Sequence, residues 1–156
     1  MSPDLSTSGT ANYYFGQSGD QVARGQLFLA TGMTTLHDVR VKVRAVGTGQ
    51  SAMTASLYAT DNGKPTGNPL ATATVPASRI GTLDTIVDVP LKYTGMVPGA
   101  MYAIVLGQQT PTGSPYTWTT SGGNGLFGFG KIQPDGSWKN ESNLGDAWLR
   151  VSGDLS

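Results

Sequence analysis

The single histidine of the chain, His37, stands next to Asp38. A histidine beside a carboxylate supplies two members of a serine-hydrolase triad. Adjacent residues on a strand point to opposite faces, however, and no G-x-S-x-G elbow supplies the nucleophile. His37 is therefore expected to be an ordinary residue at the start of a strand. One histidine and no cysteine cannot assemble a zinc set. Glycoside hydrolysis needs two carboxylates across a cleft. Asp61, Asp135, Glu141 and Asp146 sit instead in turn-like contexts, where an Asp side chain caps backbone amides. Loop carboxylates suit a hard cation, and Asp61 is the one weak calcium candidate, without the repeated acidic spacing of a calcium loop. The glycine-rich stretches lack the contexts that cradle phosphate. The expectation is a protein without catalytic residues or cofactor, calcium being the one ion considered.

Aromatic side chains give the positive signal. Tyr116 and Trp118 alternate onto one strand face, Trp138 follows the Pro134-Asp135-Gly136 turn, and Trp148 lies opposite Leu149. Exposed rings can stack on the C–H faces of sugars while neighbours such as Asn124 and Asp135 bond the hydroxyls. The competing reading is packing, in the core or between subunits, where aromatic residues are equally at home. Packing is favoured for Trp118; for Trp138 and Trp148 both readings stand. The basic stripe Arg40, Lys42, Arg44 reads as a solvated strand face, with an interface as the alternative.

The elements that would position these residues are strands. From Leu36 to Ala59, Val39, Val41, Val43 and Ala45 alternate with Asp38, Arg40, Lys42 and Arg44, the two-residue period of a half-buried strand. Gly47-Thr48-Gly49 then reads as the loop of a hairpin, and the chain returns through Ala55, Leu57 and Ala59. Such a hairpin has one apolar face and needs a second sheet to cover it. Residues 61–69 are turn chemistry throughout, and Leu70–Val75 resumes a strand. Pro90 places Thr85–Leu91 at an edge or a strand end. Met101–Leu106 does not alternate, which predicts burial on both faces or a strand crossing the centre of the sandwich.

Nothing of length has helical periodicity. About nine or ten short strands, spaced as in sandwiches and barrels, predict an all-β, two-sheet antiparallel β-sandwich of jelly-roll-like kind. At 156 residues the chain suits one domain over residues 13–156, preceded by a polar arm over residues 1–12. Ten Lys and Arg balance ten Asp and Glu, so no global field favours nucleic acid. No window approaches the ~18 apolar residues of a membrane span, and residues 1–16 have no secretory-signal pattern.

The blocks TASLYATDNGKPTGNPLATATVPAS, VDVPL, PGAMYAIVLG and GDAWLRVSG, in that order, resemble a β-sandwich module of bacterial extracellular enzymes, surface proteins and phage proteins. The resemblance spans roughly residues 26–152, and modules of this kind are described as carbohydrate-binding-like or galactose-binding-like. It implies a strand-and-turn scaffold rather than a catalytic one. Trp148 departs from the small residue expected between the apolar positions of the last strand, which suggests a contact surface particular to this chain.

Two functions are carried forward. The first is a non-catalytic structural or adhesion protein on the exterior of a phage virion, a capsid decoration or tail-associated protein. It would contact other virion proteins or itself as a homo-oligomer, and a start at Met1 without an export signal favours it. The second is a carbohydrate-binding module from a secreted bacterial enzyme or surface protein, with a cell-surface, plant or bacterial polysaccharide as partner. Neither involves nucleic acid or membrane insertion.

Overall fold

The computed structural model describes residues 12–16, 23–110, 112–120, 129–132, 135, 137–140 and 146–155. Among them run eleven strands: β1 (Asn12–Phe15), β2 (Ala23–Leu29), β3 (Met33–Ala45), β4 (Met53–Asp61), β5 (Lys64–Val75), β6 (Thr85–Val89), β7 (Met101–Gln108), β8 (Tyr116–Thr119), β9 (Phe129–Ile132), β10 (Trp138–Asn140) and β11 (Leu149–Leu155). The described helix content is one 3-10 turn, Ala77–Arg79. A five-stranded antiparallel sheet has the order β1-β8-β3-β11, with β6 also paired to β3. A six-stranded antiparallel sheet has the order β10-β9-β2-β7-β4-β5. The two pack face to face, so the chain is the all-β sandwich its alternation predicts, with eleven strands in place of nine or ten. Of residues 1–12, expected as an arm, only Asn12 is described; it opens β1, in register with Thr119.

β3 is the strand around which the five-stranded sheet assembles, pairing with β6, β8 and β11. Val39, Val41 and Val43 are fully buried, while Arg40 is exposed and Lys42 and Arg44 half-buried on the other face. The alternation slips twice, once at Thr34, where Asp154 pairs with Thr35 but Leu155 with Met33, and once at His37. Ser152 pairs with Asp38 but Gly153 pairs with Leu36, so His37 is an extra residue on β3. A bulge of this kind resets the parity of a strand, which is why Leu36 and Val39 both face the core despite odd spacing. His37 is thus a bulge residue inside a long strand rather than the start of one. Its Nε2 lies 3.0 Å from Asp154 Oδ1, not against its chain neighbour Asp38.

The hairpin expected between β3 and β4 does not form. β3 belongs to the five-stranded sheet and β4 to the six-stranded one, and residues 46–52 carry the chain across the sandwich. Both strands bury one apolar face, and those faces meet most completely across the interior rather than side by side in one sheet. The tight hairpin lies elsewhere, at Asn62 and Gly63 between β4 and β5, both with positive φ (53° and 73°). That pairing of residues fits the two-residue turn that matches strand twist. Residues 64–69, read as turn, belong to β5, an edge strand. There Leu57 pairs with Ala71 and Ala59 with Thr66, and the surplus residues of β5 bulge out at Gly67–Leu70. Pro65 and Pro69 are tolerated because an edge strand leaves some amides unpaired. Pro90 follows directly on the end of β6.

The interior is filled by Val39, Val41, Val43, Val87, Val89, Tyr116 and Trp118 from one sheet and Phe28, Met53, Ala55, Leu57, Tyr102, Ile104 and Leu106 from the other. Toward β2 and β9 the interior turns polar. Gln26 accepts from Ala147 N (2.7 Å) and donates to Asp146 Oδ1 (3.2 Å), and the buried Arg24 donates from Nε to Tyr14 O (2.9 Å). β7 is buried on both faces, as its unbroken apolar run predicts. Its inner residues meet the core, and its outer residues Ala103 and Val105 meet a second apolar cluster on the outside of the six-stranded sheet.

Candidate functional site: the outer face of the six-stranded sheet

That outer cluster is built by alternation. Phe28, Tyr102, Ile104 and Leu57 face the core, so Leu27, Ala103, Val105 and Tyr58 face outward. Leu27 pairs with Ala103 and Ala103 with Tyr58, placing the three side by side across β2, β7 and β4. Ala23, Met101, Ile132 and Trp138 complete the surface.

Trp138 is its most distinctive member. In the next row across the sheet, Gly25 of β2 pairs with Gly130 of β9. A Cβ on Gly25 would lie 2.9 Å from Trp138 Cζ3, and one on Gly130 would lie 2.5 Å from Cζ2. The six-membered ring therefore spreads over two strands that carry no side chain beneath it. Any larger residue there would lift the ring off the sheet. At the other side of the surface, the Asn62–Gly63 hairpin reaches back over the sheet. A Cβ on Gly63 would come 4.0 Å from Leu27 Cδ2. Tyr58, half-exposed, lies beside Ala103, and the hydroxyls of Ser56 and Thr72, 3.1 Å apart, lie in the row of Gly25 beyond Val105. Half-exposed rings beside fixed hydroxyls can stack on a flat C–H-rich ligand and bond its polar edge.

The other residues singled out in the sequence lie apart from this face. Tyr116 and Trp118 are fully buried in the core and offer no ring face to a ligand. Tyr116 stacks on Phe15 with centroids 5.7 Å apart and donates from its hydroxyl to Ser51 O (2.6 Å); burial pushes its pKa up. Trp118 donates from Nε1 to Trp148 O (2.9 Å). Trp148 sits on the outer face of the opposite sheet, but only 9% exposed, with the Arg150 guanidinium 5.1 Å from its ring centroid. It is covered rather than presented. Asp135 accepts from Ser137 N (2.9 Å) and Ser137 Oγ (2.6 Å), and these bonds hold its carboxyl below the usual range. It closes its own turn. Asp61 precedes the Asn62–Gly63 turn, and no cluster of three or more metal-ligating side chains occurs among the described residues. Asn124 and Glu141 lie outside the described residues.

Sequence reasoning missed Tyr58, Gly25 and Gly130. The signal for Tyr58 was present: next to the inward-facing Leu57, it had to point outward. The glycines could be read only once β2, β9 and β10 were known to be neighbours. The chain matches no protein-family model and no curated protein.

Proposed function

We propose that this protein is a non-catalytic adhesion or structural protein of the exterior of a phage virion, as a capsid decoration or tail-associated protein. It contacts its target through the outer face of the six-stranded sheet. The observation that carries this reading is Trp138, spread over Gly25 and Gly130 with one ring face turned away from the sheet. Trp and Tyr are the residues that dominate contact surfaces, because they bring large area at little cost in side-chain entropy.

A second reading, a carbohydrate-binding module of a secreted bacterial enzyme or surface protein, is favoured by the same ring together with the Ser56 and Thr72 hydroxyls. Affinity electrophoresis through gels containing neutral polysaccharides separates the two, run with wild type, Trp138→Ala and Tyr58→Ala. Retardation by a neutral glycan that both substitutions abolish supports sugar binding at this face, in a module or a virion adhesin alike. Where no glycan retards the protein, the virion reading requires that purified wild type self-associates or decorates a capsid or tail, and that Trp138→Ala does not. Failure of both assays would overturn the assignment of this face.

A further inference from the structure

The opposite sheet carries a second surface of different chemistry. β11 lies against β3 so that Arg150 pairs directly with Arg40. Like charges placed opposite each other across a strand pair are destabilising, a cost that Asp88 on the other side of Arg40 offsets in part while both cations stay on the outer face. Lys42 and Arg44 continue the row along β3, at successive outward positions about 6.7 Å apart. Four cations therefore share one outer face. Two are held in place: Arg150 lies over the Trp148 ring at 5.1 Å, and Arg44 donates from Nε to Thr117 Oγ1 (3.3 Å), 4.0 Å from Asp84. Lys42 pairs across the strand with Ile86, whose side chain is 53% exposed. An apolar contact point thus stands inside the basic row.

The carboxylates on this face decide what the row can hold. Asp88 pairs directly with Arg40 on its other side, Asp38 lies one outward position along β3, and Asp84 sits by Arg44. Duplex nucleic acid presents one charge per ~1.7 Å of its axis. Phosphates packed that densely would be driven against these three carboxylates. A chain with one anionic group per sugar ring, or fewer, can set its charges on the cations and its ring faces on Ile86, and avoid the carboxylates between. We propose that the outer face of the five-stranded sheet binds an acidic polysaccharide through Arg40, Lys42, Arg44 and Arg150, independently of the Trp138 face.

The test is affinity electrophoresis of the whole protein in gels containing polygalacturonate (carboxylated), kappa-carrageenan (sparsely sulfated), unmodified dextran or duplex DNA. Wild type is compared with Arg40→Gln/Lys42→Gln and with Lys64→Gln/Lys139→Gln, which removes the same charge from the other sheet. Arg40, Lys64 and Lys139 are exposed and Lys42 is half-buried, so both double variants are expected to stay folded, and melting temperatures are checked first. The expected result is retardation by one or both acidic polysaccharides and not by dextran. It should weaken about tenfold in the stripe variant, the scale of two lost surface charge contacts, and stay unchanged in the control variant. Trp138→Ala should leave it intact, which keeps this proposal separate from the one above. Retardation by DNA in preference to both acidic polysaccharides would overturn it in favour of a nucleic-acid surface. Equal losses in the two double variants, or no retardation at all, would also overturn it.

Discussion

At the scale of single residues, Trp138 is fixed by what its neighbours lack. Substituting Gly130 with Ala would set a methyl group within the ring's own volume and against Lys139 O. The expected outcome is a lowered melting temperature and a red shift in tryptophan emission, because Trp118 and Trp148 are buried and Trp138 is the one ring free to move into water. Removing the Tyr116 hydroxyl with Phe should cost roughly 1 kcal/mol in denaturant unfolding, since Ser51 O then loses a buried donor. Trp118→Ala should cost about 3–5 kcal/mol, as a large cavity opens in the middle of the core.

A pH dependence belongs at the same scale. A hydrogen bond from Asp88 to the Asp38 carboxyl, then partial desolvation and the Asp38 charge, raise the Asp88 pKa above its ordinary 3.8, against the opposing pull of Arg40 and Arg79. A carboxyl whose pKa is raised by folding favours the folded state at low pH, and that contribution is lost as pH rises through the raised value. At neutral pH the two carboxylates repel. Asp88→Asn keeps a donor for Asp38 without the charge. It is expected to melt slightly higher than wild type at pH 7, with the difference closing as pH falls through the raised value. A difference that grew toward low pH would contradict this account. The His37–Asp154 pair, with both side chains about half-exposed or more (49% and 67%), should contribute little by comparison.

At the scale of elements, the sequence was most informative where one strand could be read without its partners. The valines of β3 declared their face, the unbroken run of β7 declared its double burial, and Asn62-Gly63 carried the chemistry of a tight turn. What stayed hidden was pairing. β3 and β4 each read as half-buried strands joined by a glycine loop, and a hairpin and a crossing between sheets satisfy that pattern equally. The same ignorance of neighbours left Tyr116 and Trp118 as candidate contact residues, although β3, β1 and the opposing sheet enclose them. It also concealed the glycine floor beneath Trp138, which two strands distant in sequence, β2 and β9, make together. The bulge at His37 was hidden for another reason: its mark is a parity slip between Leu36 and Val39, legible only when β11 supplies the register.

At the scale of the whole molecule, of the ten connections between the eleven strands among the described residues, only β4–β5 and β9–β10 join strands of one sheet. Nearly every strand must find its neighbours across an intervening stretch of chain, so loop-closure entropy is spent before packing repays it. Refolding from denaturant is therefore expected in the millisecond-to-second range typical of β-sandwiches, not in microseconds, and stopped-flow tryptophan fluorescence measures it. The two outer faces are chemically unlike, one aromatic with hydroxyls and one basic with interleaved carboxylates. On the two proposals above, a sandwich with this asymmetry would hold two different partners on opposite sides at once.

The crossing at residues 46–52 also makes the chain divisible. A cut there leaves an N-terminal piece that owns β1 and β3 of one sheet and β2 of the other, while the C-terminal piece owns their partners. Neither piece can close a sandwich alone, because β3 is the shared neighbour of β6, β8 and β11, and β2 separates β9 from β7. Each carries the template the other is missing. Co-expressed halves severed at Gly47–Gly49 should therefore reconstitute one fold from two polypeptides, making this scaffold a split reporter whose reassembly can be driven by whatever is fused to the cut.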